Sequence, residues 1–194
     1  MLSDIPIPQL SRSSGSVAVV SSPSFTFLIG GARSGKSAAA VRLAAQHIGP
    51  VAYIVTAEAL DDEMTDRIRR HRNERPVDWS VFEEPMEVAS AISRVPPDAF
   101  IVIDCLSLWV SNLVLASVDD IEERTRTAIA ALAMRRTPSA VVSNEVGLGI
   151  VPDNALARGY RDVLGRVNAA FADASGDAFF FVAGRSIRLT PSPF

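Results

Sequence analysis

The sequence predicts an α/β domain in which a mostly parallel central sheet is covered by flanking helices. From Phe25 onward, short apolar runs alternate with longer amphipathic segments, which is the pattern of parallel strands joined by helices. The apolar runs are nearly continuous, as expected for strands that are buried on both faces. With 194 residues, 48% of them hydrophobic, the chain is long and apolar enough for one sizeable core.

The sheet is predicted from five strong apolar runs and two weaker ones. The strong runs are 25–30, 50–57, 99–106, 139–146 and 177–184. The weaker runs, 79–84 and 186–190, are predicted to be edge strands.

Four helices are predicted between these runs. The alanine-rich stretch after Lys36 is expected to be helical to near Gly49, and the segment 61–72 begins with two acids suited to a helix N-terminus. Segment 119–136 has acids first and arginines last, which matches the helix dipole at both ends. From Asn154 apolar residues recur every three or four positions, which predicts one buried helix face.

Residues 1–24 are predicted to be a flexible extension, with a single domain at 25–194. The extension is rich in serine and proline and lacks the basic start and long apolar run of a secretory signal. The alternative is that Val17–Val20 adds an edge strand. No apolar run in the chain reaches the length of a membrane span.

Composition and charge favour small-molecule ligands. The net charge of −3 gives no overall basic field, so nucleic-acid binding is not expected. One cysteine and two histidines give neither an internal disulfide nor a zinc set, and a reducing, cytoplasmic compartment is expected.

A glycine-rich loop between the first strand and the first helix predicts a phosphate site. It fits the pattern G-x-x-x-x-G-K-[ST] and consists of Gly30, Gly31, Ala32, Arg33, Ser34, Gly35, Lys36 and Ser37. In such a loop backbone N–H groups surround phosphate oxygens, the lysine reaches the β and γ phosphates, and the serine hydroxyl binds magnesium. The predicted fold class is therefore an α/β P-loop NTPase of RecA-like type.

Asp104, at the end of "FIVID", is the candidate acidic partner of the magnesium ion. Ligands of α/β sheets bind at the carboxyl ends of the strands, which is where this aspartate is expected. The alternative is that Asp104 caps a following helix formed by 105–114.

His71 lies in "RIRRHR" and has two possible roles. On a helix it would share a face with Met64 and Ile68, which favours a histidine packed at the edge of the core. Five arginines lie within nine residues of this segment, and a histidine among arginines also suits nucleophilic attack on a phosphate. The arginine run by itself is equally typical of a solvated basic face. His47, near the end of the first predicted helix, is expected to have no chemical role.

Three long segments in this order resemble the bifunctional adenosylcobinamide kinase/adenosylcobinamide-phosphate guanylyltransferase family of cobalamin biosynthesis. They are "GGARSGKS", "YIVTAEALDDEMTDRIRRHRNERPVDW" and "SNEVGLGIVPDNALARGYRDVLGRVNAAFA". The resemblance implies two reactions. A nucleoside triphosphate, ATP or GTP, phosphorylates the aminopropanol hydroxyl of adenosylcobinamide, and a histidine then takes GMP from GTP and passes it to the new phosphate.

The resemblance also implies roles for particular residues. His71 matches the family's nucleophile, and Mg²⁺ would be held by Ser37 and Asp104. Asp104 would act directly or through water, because relatives often carry a longer acid there. The implied nucleotide contacts outside the P-loop are Thr56, Ala57, Glu58, Arg72, Asn73, Glu74, Arg75, Glu83 and Asp104. A homotrimer is implied by the same resemblance.

The loop 143–154 is interpreted in two ways. Asn144 and Glu145 follow a strand and are expected at the ligand edge, which indicates a substrate or assembly loop. The alternative is a structural turn held by Gly147, Gly149 and Pro152. For the whole chain, the competing functions are another small-molecule P-loop kinase with a structural His71, and a nucleotide-gated regulatory protein.

Overall fold

The strands and helices alternate along the chain as the sequence predicts. The computed structural model describes residues 25–58 and 76–191. Its strands are β1 (Phe25–Gly30), β2 (Val51–Val55), β3 (Ser80–Glu83), β4 (Phe100–Asp104), β5 (Ser139–Asn144), β6 (Asp177–Val182) and β7 (Arg185–Leu189). Its helices are α1 (Lys36–Ala44), α2 (Val88–Arg94), α3 (Leu106–Leu115), α4 (Ile121–Ala133) and α5 (Ala155–Ala174).

These strands form one sheet in the order β3-β2-β4-β5-β1-β6-β7. Every pairing is parallel except that of β7, which runs antiparallel to β6 at one edge. The predicted mostly parallel sheet is thus confirmed, and both weaker runs are edge strands as expected. The carboxyl ends of β1 to β6 therefore lie along one edge of the sheet.

Helices pack on both faces of the sheet. On one face, α2 to α5 bury large side chains such as Trp109, Leu113, Leu132 and Phe171. On the other face, the small residues Ala39, Ala40 and Ala44 of α1 pack against strand residues that include Leu28. Alanines let α1 approach the sheet closely, which places its N-terminus directly at the end of β1.

Two helix boundaries differ from expectation, and one short helix was not predicted. The helix α1 ends at Ala44, because Gln46 and His47 bond to carbonyls three residues back instead of four. The helix α4 has no basic residue in its last turn, since it ends before Arg135, whose guanidinium reaches other carbonyls. The seven-residue α2 was not predicted, because it is short and has no side-chain cap.

Two expectations lie outside the described residues. These are the flexible extension at 1–24, with its alternative strand at Val17–Val20, and the helix at 61–72. None of the described helices is long and apolar enough to cross a membrane.

Candidate active site

The glycine-rich loop joins β1 directly to α1 and fits tightly against β6. Gly30 ends β1, and a Cβ atom placed on it would lie only 2.3 Å from the carbonyl oxygen of Phe181. Gly35 immediately precedes α1 with φ of 101°, and Arg33 has φ of 55°, a left-handed value that is uncommon for a residue with a side chain. The loop therefore adopts a tight turn that requires its glycines, and the backbone of β6 packs directly against it.

The turn between β6 and β7 supports this loop from outside. The backbone N–H of Gly184 donates to the carbonyl oxygen of Ser34 at 3.0 Å. A Cβ on Gly35 would come within 3.4 Å of the Cα of Gly184. The Ser34 hydroxyl is buried and has no hydrogen-bond partner among the described residues. A buried hydroxyl without a partner costs free energy, so a ligand group at this position would satisfy it.

Lys36 supplies the positive charge of the phosphate loop. Its ammonium group is buried and donates to the carbonyl oxygen of Gly31 at 2.8 Å, so the side chain folds back across the loop. Burial lowers the pKa of Lys36, while the nearby Cys105 and Asp104 act in the opposite direction. An anion beside this ammonium would offset the cost of burying its charge, as bound phosphate oxygens do.

Asp104 ends β4 and lies close enough to Lys36 for an electrostatic interaction. The hydroxyl of the buried Tyr53 donates to its Oδ2 at 2.6 Å. The residue that caps α3 is Cys105, without a side-chain hydrogen bond, so Asp104 does not have the alternative role of helix cap. Its carboxylate is instead held beside the phosphate loop.

The donors at this site fit a magnesium ion. A hydroxyl from Ser37 and a carboxylate from Asp104 are hard oxygen ligands, which Mg²⁺ prefers. In nucleotide sites Mg²⁺ takes only one or two protein ligands and completes its shell with phosphates and water. Accordingly, residues 25–58 and 76–191 contain no cluster of three or more His, Cys, Asp or Glu side chains that could hold a metal ion alone.

Thr56, predicted to contact nucleotide, connects the end of β2 to the end of β4 through its side chain. Its hydroxyl donates to the carbonyl oxygen of Cys105 at 2.7 Å and accepts from the Cys105 N–H at 3.1 Å. The Asn112 amide donates to the Thr56 carbonyl oxygen at 2.9 Å. These bonds fix the ends of two strands relative to each other. The next two residues are more accessible, since Ala57 is partly exposed and Glu58 is exposed.

Glu83 ends the edge strand β3, where it lies opposite Val55 of β2 in the parallel register. Its side chain is exposed at the carboxyl edge of the sheet. Glu83, Glu58 and Asp104 therefore all lie at the ends of β2, β3 and β4, on one flank of the phosphate loop.

The loop after β5 is anchored by a polar network that the sequence did not predict. Asn144, predicted to lie at the ligand edge, donates through its amide to the Ser107 hydroxyl at 2.8 Å, and its carbonyl accepts from Asn168 at 3.0 Å. The N–H of Glu145 donates to the carbonyl oxygen of Gly30 at 3.1 Å, which continues the pairing of β5 with β1. These bonds hold Glu145 next to the phosphate loop.

Glu145 also borders a cavity of about 580 Å³ at the end of β1, between the β5 loop and the end of β6. Its three walls are the P-loop residues 31–34, the β5 loop at 145–149, and the end of β6 at 180–183. The residues of β6 were not predicted as site residues, because in sequence they form an ordinary buried strand. Tyr53 was missed as well, although a tyrosine within an otherwise apolar strand often has a hydroxyl partner.

His71 and residues 72–75 lie outside the described residues, so their predicted roles stay predictions. The candidate site in the described residues thus comprises the phosphate loop, Asp104 with its tyrosine, and the carboxyl ends of β2 and β3.

The family model described as cobinamide kinase / cobinamide phosphate guanyltransferase matches residues 26–189. The chain belongs to this family. The match spans nearly all of both described ranges, and it confirms the resemblance that the three sequence segments indicate.

Curated relatives extend this comparison. The bifunctional adenosylcobalamin biosynthesis protein CobP of Pseudomonas aeruginosa is 40% identical over 169 residues, covering 86% of this chain and 97% of the relative. The proteins named CobU of Salmonella typhimurium and Escherichia coli are 38% and 36% identical, each over 82% of this chain and 96% of the relative. Among solved structures, the RadB recombinase is 14% identical, with a TM-score of 0.46 over 82% of this chain and 74% of that one.

Proposed function

We propose that the protein phosphorylates adenosylcobinamide and then converts the product to adenosylcobinamide-GDP. Family membership supports this, as do relatives named bifunctional adenosylcobalamin biosynthesis proteins that match over most of their length. The observation that carries the kinase half is the buried Lys36 in a glycine loop, next to the strand-end carboxylate of Asp104. That arrangement neutralises and positions phosphates, which is most of what phosphoryl transfer requires.

In the first reaction the alcohol oxygen of the aminopropanol arm forms a bond to the γ-phosphorus of ATP or GTP. The bond from that phosphorus to the β–γ bridging oxygen breaks, the nucleoside diphosphate leaves, and the alcohol loses its proton. Lys36 and the loop N–H groups stabilise the charge on the phosphates. Mg²⁺, held by Ser37 and Asp104, either directly or through water, would add charge neutralisation when bound.

In the second reaction His71 attacks the α-phosphorus of GTP, pyrophosphate leaves, and a guanylyl-histidine forms. The phosphate of adenosylcobinamide phosphate then attacks the same phosphorus and releases His71. The proposed nucleotide contacts are Arg72, Asn73, Glu74 and Arg75, together with the strand-end residues Thr56, Ala57, Glu58 and Glu83. Splitting the transfer into two steps is the advantage that a covalent nucleophile provides.

The test is mass spectrometry of the protein after incubation with GTP and Mg²⁺. We expect a guanylyl adduct on His71 that acid removes and base does not, and no adduct in His71→Ala. Kinase activity should decline less than guanylyl transfer in that variant. The matched control is His47→Ala. His47 lies near Phe100, with its Nε2 3.1 Å from the backbone oxygen of Asp98, so it is at the start of β4 and not at the strand ends that form the site.

A wild-type protein that turns over neither adenosylcobinamide nor its phosphate would disprove the function. Label that persists in His71→Ala would disprove only the assignment of the nucleophile. Kinase activity without any covalent guanylate would favour the alternative of a simple small-molecule kinase with a structural His71.

We also propose that the protein forms a homo-oligomer, a trimer by family resemblance. Large apolar side chains are exposed close together after β5, including Ile150 at 97% and Leu156 at 59%. Exposed apolar patches on soluble proteins commonly mark interaction surfaces. Light scattering after size exclusion should give three times the chain mass, and Ile150→Glu should lower it.

A further inference from the structure

The cavity of about 580 Å³ beside the phosphate loop has no assigned role in either of the two proposed reactions. Its volume is within the range of roughly 300–1,000 Å³ typical of small-molecule sites. Residues 31–34 of the phosphate loop form one wall, so a ligand in the cavity would lie against the outside of that loop. A ligand here would be adjacent to the reacting phosphate.

Three properties of the walls indicate a binding site. The residue Ser34 belongs to the wall and is 5% exposed, and its buried hydroxyl has no hydrogen-bond partner among the described residues. Arg33, also in the wall, has a left-handed backbone conformation of the strained kind found at functional sites. Opposite them, Phe180, Val182 and Leu148 supply apolar surface, and Glu145 supplies a carboxylate.

The position of the cavity separates it from the nucleoside contacts proposed above. Glu58, Glu83 and Asp104 lie at the ends of β2, β3 and β4, on one flank of the loop. The cavity lies at the end of β1, between its two sheet neighbours β5 and β6, and none of the described residues that line it belongs to β2, β3 or β4. In phosphoryl transfer the attacking and leaving oxygens are roughly in line, so the acceptor must approach from the side opposite the leaving nucleotide.

We propose that this cavity is the acceptor subsite of the kinase reaction and receives the alcohol arm of the corrinoid substrate. This inference rests on the proposed function. The alcohol end enters between Ser34 and Glu145, which offer hydrogen-bonding groups of the kind that orient a hydroxyl. The much larger macrocycle stays at the mouth, where the exposed Leu148 presents apolar surface.

The test compares two cavity variants with a matched control. Val182→Arg places a bulky cation in the wall of the cavity, at a side chain that is 51% exposed and so tolerates the change. Ile187→Arg is the control, because Ile187 is 60% exposed on the neighbouring strand β7 and does not line the cavity. Leu148→Arg, at a loop residue that is 81% exposed, is the second cavity variant in case the first does not fold.

Each variant is measured in three ways. The affinity for adenosylcobinamide without nucleotide is measured by equilibrium dialysis, which uses the visible absorbance of the corrinoid. The KM for adenosylcobinamide is measured in the kinase assay, and the Kd for fluorescent ATP and GTP analogues by titration. Light scattering confirms that each variant has the oligomeric state of the wild type.

We expect both cavity variants to raise the KM and the dissociation constant for adenosylcobinamide about tenfold, the effect of losing a fitted apolar contact. Nucleotide affinity and the behaviour of Ile187→Arg should match the wild type. Weaker nucleotide binding, with or without a change for the corrinoid, would overturn the proposal and make the cavity a nucleoside site. Unchanged binding of both ligands would overturn it too. If the wild type does not phosphorylate adenosylcobinamide at all, the proposed function itself fails, which is a separate outcome.

Discussion

The hydroxyl of Tyr53 donates a hydrogen bond to Oδ2 of Asp104 over 2.6 Å, from one strand of the sheet to the next. Tyr53 is buried and stacks against Trp79 with ring centroids 6.4 Å apart, so its hydroxyl has little freedom. A fixed donor on one carboxylate oxygen orients the other, which is how partners outside the ligand shell position metal-binding side chains.

Tyr53→Phe is therefore expected to weaken divalent-metal binding while the fold persists. The affinity for Mn²⁺, measured by electron paramagnetic resonance with a non-hydrolysable GTP analogue, should fall about tenfold, the lower end for loss of such a partner. Nucleotide binding without metal should be unchanged. The control is Tyr160→Phe, which also removes a tyrosine hydroxyl. Among the described residues, that hydroxyl bonds to a backbone carbonyl and not to a carboxylate. Equal metal affinity in wild type and Tyr53→Phe would contradict this role of Tyr53.

Gly30→Ala is expected to disrupt the phosphate loop. Its new methyl group would lie 2.3 Å from the Phe181 carbonyl oxygen, and this backbone cannot give way easily because Phe181 pairs with Gly30 in the sheet. The free energy of unfolding, from urea denaturation, should fall by about 3 kcal/mol, as for other overpacked sites. Gly31→Ala is the control for stability, because no atom lies within 4 Å of a Cβ built there. A Gly30→Ala protein as stable as the control would argue against the tight contact with β6.

Arg135 is expected to stabilise the fold although it is charged and partly buried. Its guanidinium donates to the carbonyl oxygens of Val95, Pro96 and Ala99 at 3.2, 2.8 and 2.7 Å, joining the end of α4 to the segment between α2 and β4. Arg135→Met should lower the unfolding free energy by about 2 kcal/mol, because three carbonyls lose a charged donor.

Arg136→Met is the matched control for this change, since Arg136 is exposed and lies next in the chain. Its unfolding free energy should stay within about 0.5 kcal/mol of the wild type, as for most surface substitutions. Equal losses in the two variants would mean that charge, and not the carbonyl contacts, explains the effect.

Tyr160 should make stability depend on alkaline pH. Its hydroxyl donates to the Ser107 carbonyl oxygen at 3.1 Å, and burial, with a smaller contribution from Cys105, raises the pKa of Tyr160 to about 12 from 10.0. Because the unfolded tyrosine ionises first, the stabilisation is complete below pH 10 and is lost as the pH rises towards 12.

The comparison with Tyr160→Phe isolates this contribution. At pH 7 the variant should be less stable by about 1 kcal/mol, the worth of one hydrogen bond. The wild-type advantage, measured by denaturant titration, should shrink steadily above pH 10. An advantage that is constant to pH 11 would show that Tyr160 does not titrate differently in the folded and unfolded chain.

Local patterns sufficed for much of the fold. Apolar runs predicted every described strand to within two residues at each end. The runs are nearly continuous in the five central strands, because buried parallel strands need apolar side chains on both faces, and weaker in the exposed edge strands β3 and β7. The short α2 was missed, since seven residues without a side-chain cap leave little periodic signal. The end of α4 was misplaced because Arg135 bonds to carbonyls 36 to 40 residues away, a preference that no local pattern records.

By itself, the sequence determined the order of the described strands, the phosphate loop between β1 and α1, and membership of a cobinamide kinase / cobinamide phosphate guanyltransferase family. These depend on spacing along the chain, where glycine, lysine and serine must be neighbours to surround a phosphate. Only the tertiary structure decided that Tyr53 orients Asp104, that the Thr56 hydroxyl hydrogen-bonds to the Cys105 backbone, and that β5 and β6 enclose a cavity beside the loop. Each of these joins residues that are distant in sequence, and parallel strand pairing brings them together.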